Sequence, residues 1–184
     1  MNSIISLIQA AVVFGTVIMF GALGEILTEK AGNLNLGVPG IMYFGGIASL
    51  VGIFFYERAS DNPNKLLCVL IALVCGFLAS ALAGLIYSFL TITLKTNQNV
   101  TGLTLTIFGS GVGNFFGGSL NKLAGGVGQI SVGVTSSAFR TKLPVLSKLG
   151  AIGEIFFSYG FLVYLAIAVA LIMQYYLSKT RKGL

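Results

Sequence analysis

A chain of 184 residues with 55% hydrophobic side chains, 9% charged ones and a mean hydropathy of +0.94 is far too apolar for a soluble domain. With 0 histidines and 2 cysteines that form no CxxC pair, it excludes Ser/His/Asp or Cys/His catalysis, a zinc or other metal site of that kind, and a redox dithiol. The net charge of +6 has no clustered soluble basic face behind it, which points to anionic membrane lipid as the partner and not to nucleic acid.

Five charge-free stretches are long enough to cross a bilayer, which takes about 20 apolar residues. They run approximately over 4–24, 36–56, 66–94, 100–120 and 155–177. The expectation is an all-α, polytopic transmembrane helix bundle of about five spans forming a single domain over 1–184. The first stretch has no Lys or Arg before it and no cleavage site leading into a soluble chain, so it reads as a retained span with its N-terminus on the translocated side. Basic residues divide almost evenly between the two faces, but Lys179, Arg181 and Lys182 crowd one membrane end and favour a cytoplasmic C-terminus.

The first polar interruption is Thr28 to Met42, TEKAGNLNLGVPGIM, at the mouth of the second span. Cys68 and Cys75 follow in the third span, seven residues apart on one face, and read as small packing residues. Between the third and fourth spans, Lys95 to Gly102 reads KTNQNVTG, with more amides than one helix cap needs. Interrupted helices of this kind line cavities in transporters, although a wet interfacial loop would have the same composition. In the fourth span, Gly109, Gly113 and Gly117 recur every four residues and predict a face for close helix packing. Asn114 beside them is the most deeply placed amide, and it needs either a neighbouring helix or a hydrated pathway. The glycine-rich Gly125 to Gly133 lacks the GK[ST] of a phosphate loop and reads as a surface or re-entrant loop within the long connection from Asn121 to Glu154. All five carboxylates, Glu25, Glu29, Glu57, Asp61 and Glu154, fall at span ends or in loops, so neither an embedded hydrolase nor a proton-driven carrier is expected.

EKAGNLNLGVPGIM resembles the signature with which permeases of the ribonucleoside and simple-sugar branch of ABC importers enter their second span. Glu29, Lys30, Gly32, Asn35, Leu36, Gly37, Gly40 and Met42 match it, and Pro39 stands where that family usually has an acid. TNQNVTGL, Thr96 to Leu103, is similar to the family's entrance to a later span. The end of the chain, Leu162 to Leu184, resembles the last span before the cytoplasmic coupling loop, which typically closes on T-R-x-G-L.

The resemblance implies an alternating-access permease that is not an enzyme and has no cofactor of its own, ATP being bound and hydrolysed by a partner ATP-binding cassette subunit. It further implies a second permease subunit, identical or related, and an extracytoplasmic substrate-binding lipoprotein that delivers a nucleoside or simple sugar to the outer loops. The N-terminus is then outside, the C-terminus is cytoplasmic in the cell membrane, and Thr180, Arg181 and Gly183 lie near the coupling interface. Asn35, Asn97, Gln98, Asn99 and Asn114 are the expected polar contacts of the substrate pathway. Because the chain ends at Leu184, just before the coupling loop, it is expected to be the N-terminal part of a longer permease domain. The alternatives are a vitamin-binding membrane subunit of the energy-coupling-factor type and a small oligomeric channel or assembly protein.

Overall fold

The computed structural model describes residues 2–123, 130, 132–141 and 158–180. Among them the regular structure is entirely helical: α1 (Asn2–Lys30), α2 (Val38–Ala59), α3 (Lys65–Ser88) with a π turn at Phe89–Thr93, α4 (Gln98–Leu123), α5 (Gly133–Phe139) and α6 (Phe161–Lys179). The protein is an all-α, polytopic membrane protein. Among the described residues, four helical segments are long and apolar enough to cross a bilayer: 4–30, α2, 65–93 and α6. The expected fourth span coincides with α4, a helix of 26 residues that is less apolar than the others because glycine, threonine, serine and Asn114 replace aliphatic residues along it.

The chain divides into two compact units, Met1–Lys30 with Phe139–Leu184, and Ala31–Ala138. In the first, α1 packs on α6, where Val163 and Ala166 are buried. Thr16 of α1 is buried too, and its hydroxyl donates to the Val12 carbonyl at 2.8 Å, so it needs no partner from another element. At the start of α6, Phe161 stacks on Phe139 at 5.6 Å between ring centroids.

The second unit is built on an antiparallel α2–α3 hairpin flanked by α4. Pro39 lies in the first turn of α2, where a missing N–H costs nothing, and the Asn64 side chain caps α3 by accepting from the Leu66 N–H at 2.9 Å. Small residues let the hairpin close. A Cβ on Gly45 would run into the Ser80 hydroxyl, one on Gly76 into the Ser49 hydroxyl, and one on Gly52 would meet Cys75 Sγ at 2.8 Å. The two hydroxyls bridge the helices as well, Ser49 donating to the Ala72 carbonyl at 2.7 Å and Ser80 to that of Ile41 at 3.4 Å. Cys68 is fully buried and Cys75 half-buried, both as free thiols in this packing.

α4 runs parallel to α2. Gly40 faces the Leu105 backbone, and a Cβ on Gly109 would lie 2.5 Å from the Gly40 carbonyl oxygen, so the two backbones are in direct contact. One turn further, Gly113 sits against the Tyr43 ring and Phe44 packs on Phe108 at 5.7 Å.

At the other end of α2, the Glu57 carboxylate accepts from both the backbone N–H of Thr135, at 2.8 Å, and its hydroxyl, at 2.5 Å. Hydrogen bonds to a charged acceptor contribute about 1.5–3 kcal/mol, so Glu57→Ala should speed hydrogen exchange of the Thr135 amide by tenfold or more. Glu57→Gln, which keeps an acceptor oxygen, should give a smaller effect. Unchanged exchange in both variants would mean that this carboxylate does not anchor α5.

Candidate functional site

Both polar interruptions come together in the second unit, at the junction of 31–37, the end of α3 and the start of α4. The loop begins with Gly32 at φ +81°, a left-handed turn that a side chain would strain. The buried Asn35 then folds its own turn, its Oδ1 accepting from the Gly37 N–H at 3.0 Å, and Gly37 is the N-cap of α2.

The loop backbone is held from two sides. From α3, the buried Tyr87 hydroxyl has one proton for two acceptors, the Leu34 carbonyl at 2.7 Å and Asn33 Oδ1 at 3.1 Å. The Asn33 amide donates onward to the Thr91 hydroxyl at 3.3 Å, and Thr91 donates to the Tyr87 carbonyl at 2.9 Å. From α4, Gln98 Oε1 accepts from the Leu34 N–H at 3.0 Å, and the Thr106 hydroxyl donates to the Leu36 carbonyl at 2.7 Å. Gly102 brings α4 so close that an added Cβ would lie 2.9 Å from the amide nitrogens of Leu36 and Gly37. Thr106→Val, which keeps the shape and removes the donor, should lower stability by about 1–2 kcal/mol in detergent. A thermal midpoint unchanged from the parent would show that the Leu36 carbonyl is satisfied without it.

The π turn Phe89–Thr93 is part of the same construction. It closes with the Leu94 N–H on the Phe89 carbonyl at 3.1 Å, after which Lys95 takes φ +54° and reverses the chain. Thr96 ties the reversal down, its hydroxyl donating to the Leu90 carbonyl at 2.8 Å and lying 2.9 Å from that of Thr101. Asn97 caps α4, its Oδ1 accepting from the N–H groups of Asn99 at 3.0 Å and Val100 at 3.2 Å. Beside this reversal lies an open, mainly apolar cavity of about 430 Å³ between Ile86, Tyr87 and Leu90 on one side and Val100, Thr104 and Phe108 on the other. Thr96, Asn97 and Thr101 form its polar end.

The amides expected along the pathway thus separate. Asn35, Asn97 and Gln98 have oxygens committed to backbone N–H groups at the junction, and of these Asn97 also lines the cavity. Asn99 is exposed on the first turn of α4, and Asn114 is exposed four turns further on. Glu29 and Lys30 end α1, in the other unit, and Met42 is part-exposed on α2. Gly109 and Gly113 pack against α2, whereas a Cβ on Gly117 would meet nothing within 4 Å. Thr180 caps α6 by donating to the Tyr176 carbonyl at 2.7 Å. Arg181 and Gly183 lie outside the described residues, as does much of the connection from Asn121 to Glu154. Tyr87, Asn33, Thr91 and Thr106 were not anticipated. The available signal was Tyr87 itself, the one aromatic hydroxyl in the largely apolar α3.

Helices interrupted beside a polar junction and a cavity are a membrane-transport architecture. The sequence profile of the family described as branched-chain amino acid transport system / permease component matches residues 7–184, and the chain belongs to that family. It is therefore a multi-pass permease-family protein of the cell membrane and not an enzyme.

Its relatives include a Haloferax volcanii protein named provisionally as a glucose ABC transporter permease, 32% identical over 97% of this chain and 49% of the relative. A guanosine ABC transporter permease of Bacillus subtilis is 29% identical over 97% of this chain and 53% of the relative. A nucleoside ABC transporter permease of Lactococcus lactis is 28% identical over 100% of this chain and 55% of the relative. The chain thus spans about half the length of the curated relatives it matches. No solved structure shows a significant match to it.

Proposed function

We propose that this chain forms part of the membrane-spanning permease of an ATP-driven ABC importer for nucleosides or simple sugars. The observation that carries this reading is the likeness, across nearly the whole chain, to permeases named for glucose, guanosine and nucleoside transport. A separate ATP-binding cassette subunit supplies the energy, a second permease subunit completes the pathway, and an extracytoplasmic lipoprotein delivers the cargo. The N-terminus is outside, so the junction at 31–37 and 94–98 lies toward the cytoplasm, the side from which ATP hydrolysis acts.

The chain's own contribution is differential packing. A ligand or ATPase shifts an access equilibrium only through its different affinity for the two states. The junction is the natural place for such a difference, because its loop is held by side chains from α3 and α4. Among the five amides, Asn97 is the proposed cargo contact, since it stands at the polar end of the cavity. Asn35 and Gln98 shape the loop.

Deleting the gene should abolish energy-dependent uptake of labelled guanosine or glucose by the cells, and returning the gene should restore it. Uptake of both unchanged by the deletion would overturn the assignment of cargo. A leak restored by the gene and insensitive to ATP depletion would favour a channel.

A further inference from the structure

The turn at the end of α3 holds one residue more than an α-turn does, and its hydrogen bonds show what keeps it wide. The Leu94 N–H donates to the Phe89 carbonyl, five residues back, at 3.1 Å. In an α-helix it would donate to Leu90, four residues back. That acceptor is taken. The Leu90 carbonyl receives both the Thr96 N–H, at 3.1 Å, and the Thr96 hydroxyl, at 2.8 Å, which fills its two lone pairs. The chain reversal at Lys95 and a regular α-turn therefore compete for one carbonyl oxygen.

The competing arrangements exchange donors without stranding an acceptor. If Thr96 lets go, the Leu94 N–H can take the Leu90 carbonyl and the Thr93 N–H can take that of Phe89. Thr96 is exposed, so water can satisfy the groups it releases. Such a slip carries everything after the turn forward by one residue, about 100° of rotation and about 1.5 Å of rise. Thr96 and Asn97 would then leave the polar end of the cavity, while Ile86 and Tyr87, which precede the turn, keep its apolar wall. The turn is also tied on both sides. Thr91 accepts from Asn33 of the loop at 3.3 Å, and the Thr96 hydroxyl lies 2.9 Å from that of Thr101 in α4. A change of register is thus felt by the loop and by α4 together.

We infer that the end of α3 is a two-register switch, π while Thr96 holds the Leu90 carbonyl and α when the Leu94 N–H replaces it, and that the switch opens and closes the polar end of the cavity. A single π turn is a common mark of a functional site in a helix, and here the alternative acceptor is already in place. The part of this switch in transport rests on the permease reading; the register change does not.

The test is residue-resolved hydrogen exchange of the whole chain in lipid nanodiscs. Thr96→Val removes the hydroxyl tie and frees one lone pair on Leu90. The Thr96 amide should then exchange about tenfold faster, the equivalent of one hydrogen bond, while the Leu94 amide stays within about threefold of the parent because it has a second acceptor. Loss of protection at both amides together would be simple fraying and would overturn the inference, as would an unchanged Thr96 rate. Deleting Ile92 gives a second reading. Leu94 then stands four residues after Phe89, so the same hydrogen bond closes an ordinary α-turn and no residue is left over to slip. The deletion protein should keep the parent's thermal midpoint, and adding Thr96→Val to it should raise Thr96 exchange less than about threefold. A midpoint well below the parent's, or a rise as large as in the undeleted chain, would mean that the wide turn is fixed by packing and is no switch. In cells whose uptake the parent gene restores, the deletion protein should restore less than about a tenth of it, whereas parental uptake would remove the switch from the transport cycle. Hydrogen exchange needs neither cargo nor ATP, so its failure is distinguishable from a failure of the uptake experiment.

Discussion

Gly109→Leu is expected to destabilise the second unit by about 3 kcal/mol or more and to abolish any transport that depends on it. Overpacking usually costs about 1–3 kcal/mol because neighbouring side chains yield. Here the neighbour is the Gly40 carbonyl, 2.5 Å from where a Cβ would stand, and the reverse substitution at Gly40 would strike the Leu105 backbone. Neither can move without parting α2 from α4. Glycine alone is not the cause, as Gly46 and Gly84 in α2 and α3 have open space where a Cβ would go. Gly46→Ala and Gly84→Ala should accordingly be neutral or stabilising by up to about 1 kcal/mol, through helix propensity. Thermal unfolding in detergent, followed by gel filtration, separates the two groups. A Gly109→Leu protein that keeps the parent midpoint would mean that the helices do not approach as described.

Tyr87 is the second position at which a large effect is expected. Its ring is 2% exposed and its hydroxyl reaches across to the loop ahead of α2. Tyr87→Phe keeps the ring and strands the Leu34 carbonyl, a loss of about 1–3 kcal/mol. Tyr87→Ala adds a cavity and should cost about 3–5 kcal/mol. Limited trypsin digestion gives a local readout, since Lys95 is exposed within the chain reversal tied to the same junction. Cleavage after Lys95 should rise in both variants, more in Tyr87→Ala. If Tyr87→Phe is cleaved and melts like the parent, the hydroxyl does not hold the loop.

The membrane-spanning, all-helical class was legible because lipid imposes a simple rule: long charge-free stretches must be helices that satisfy their own backbone. Helix ends were less so. α1 continues past Gly24 to Lys30 because Glu25, Ile26, Leu27, Glu29 and Lys30 favour helix wherever the apolar layer stops. The start of α2 at Val38 depends on the turn that Asn35 makes with Gly37. The π turn has no mark in its residues FLTIT, since it results from the chain having to reverse at Lys95. Polarity at the two interruptions was plain, but its use was not. Gln98 bonds a backbone group 64 residues away and Tyr87 one 53 residues away, partners that only the folded hairpin brings near. Spacing put Gly109, Gly113 and Gly117 toward one side of α4. That Gly109 and Gly113 meet α2 while Gly117 is open follows from which side of α4 the Leu105 backbone presents to Gly40.

Three of the ties to the loop end on its main chain: Gln98 on the Leu34 N–H, Tyr87 on the Leu34 carbonyl and Thr106 on the Leu36 carbonyl. The side chains of Leu34 and Leu36 are 37% and 38% exposed. The loop's shape is therefore encoded by Gly32, Asn33 and Asn35 within it and by residues outside it, and its two leucines are free to change without altering that shape. A library that varies Leu34 and Leu36, with proline withheld from position 34, would display different chemistry on one conserved frame. Such a library offers a way to vary the surface of the junction while leaving the hydrogen bonds beneath it intact.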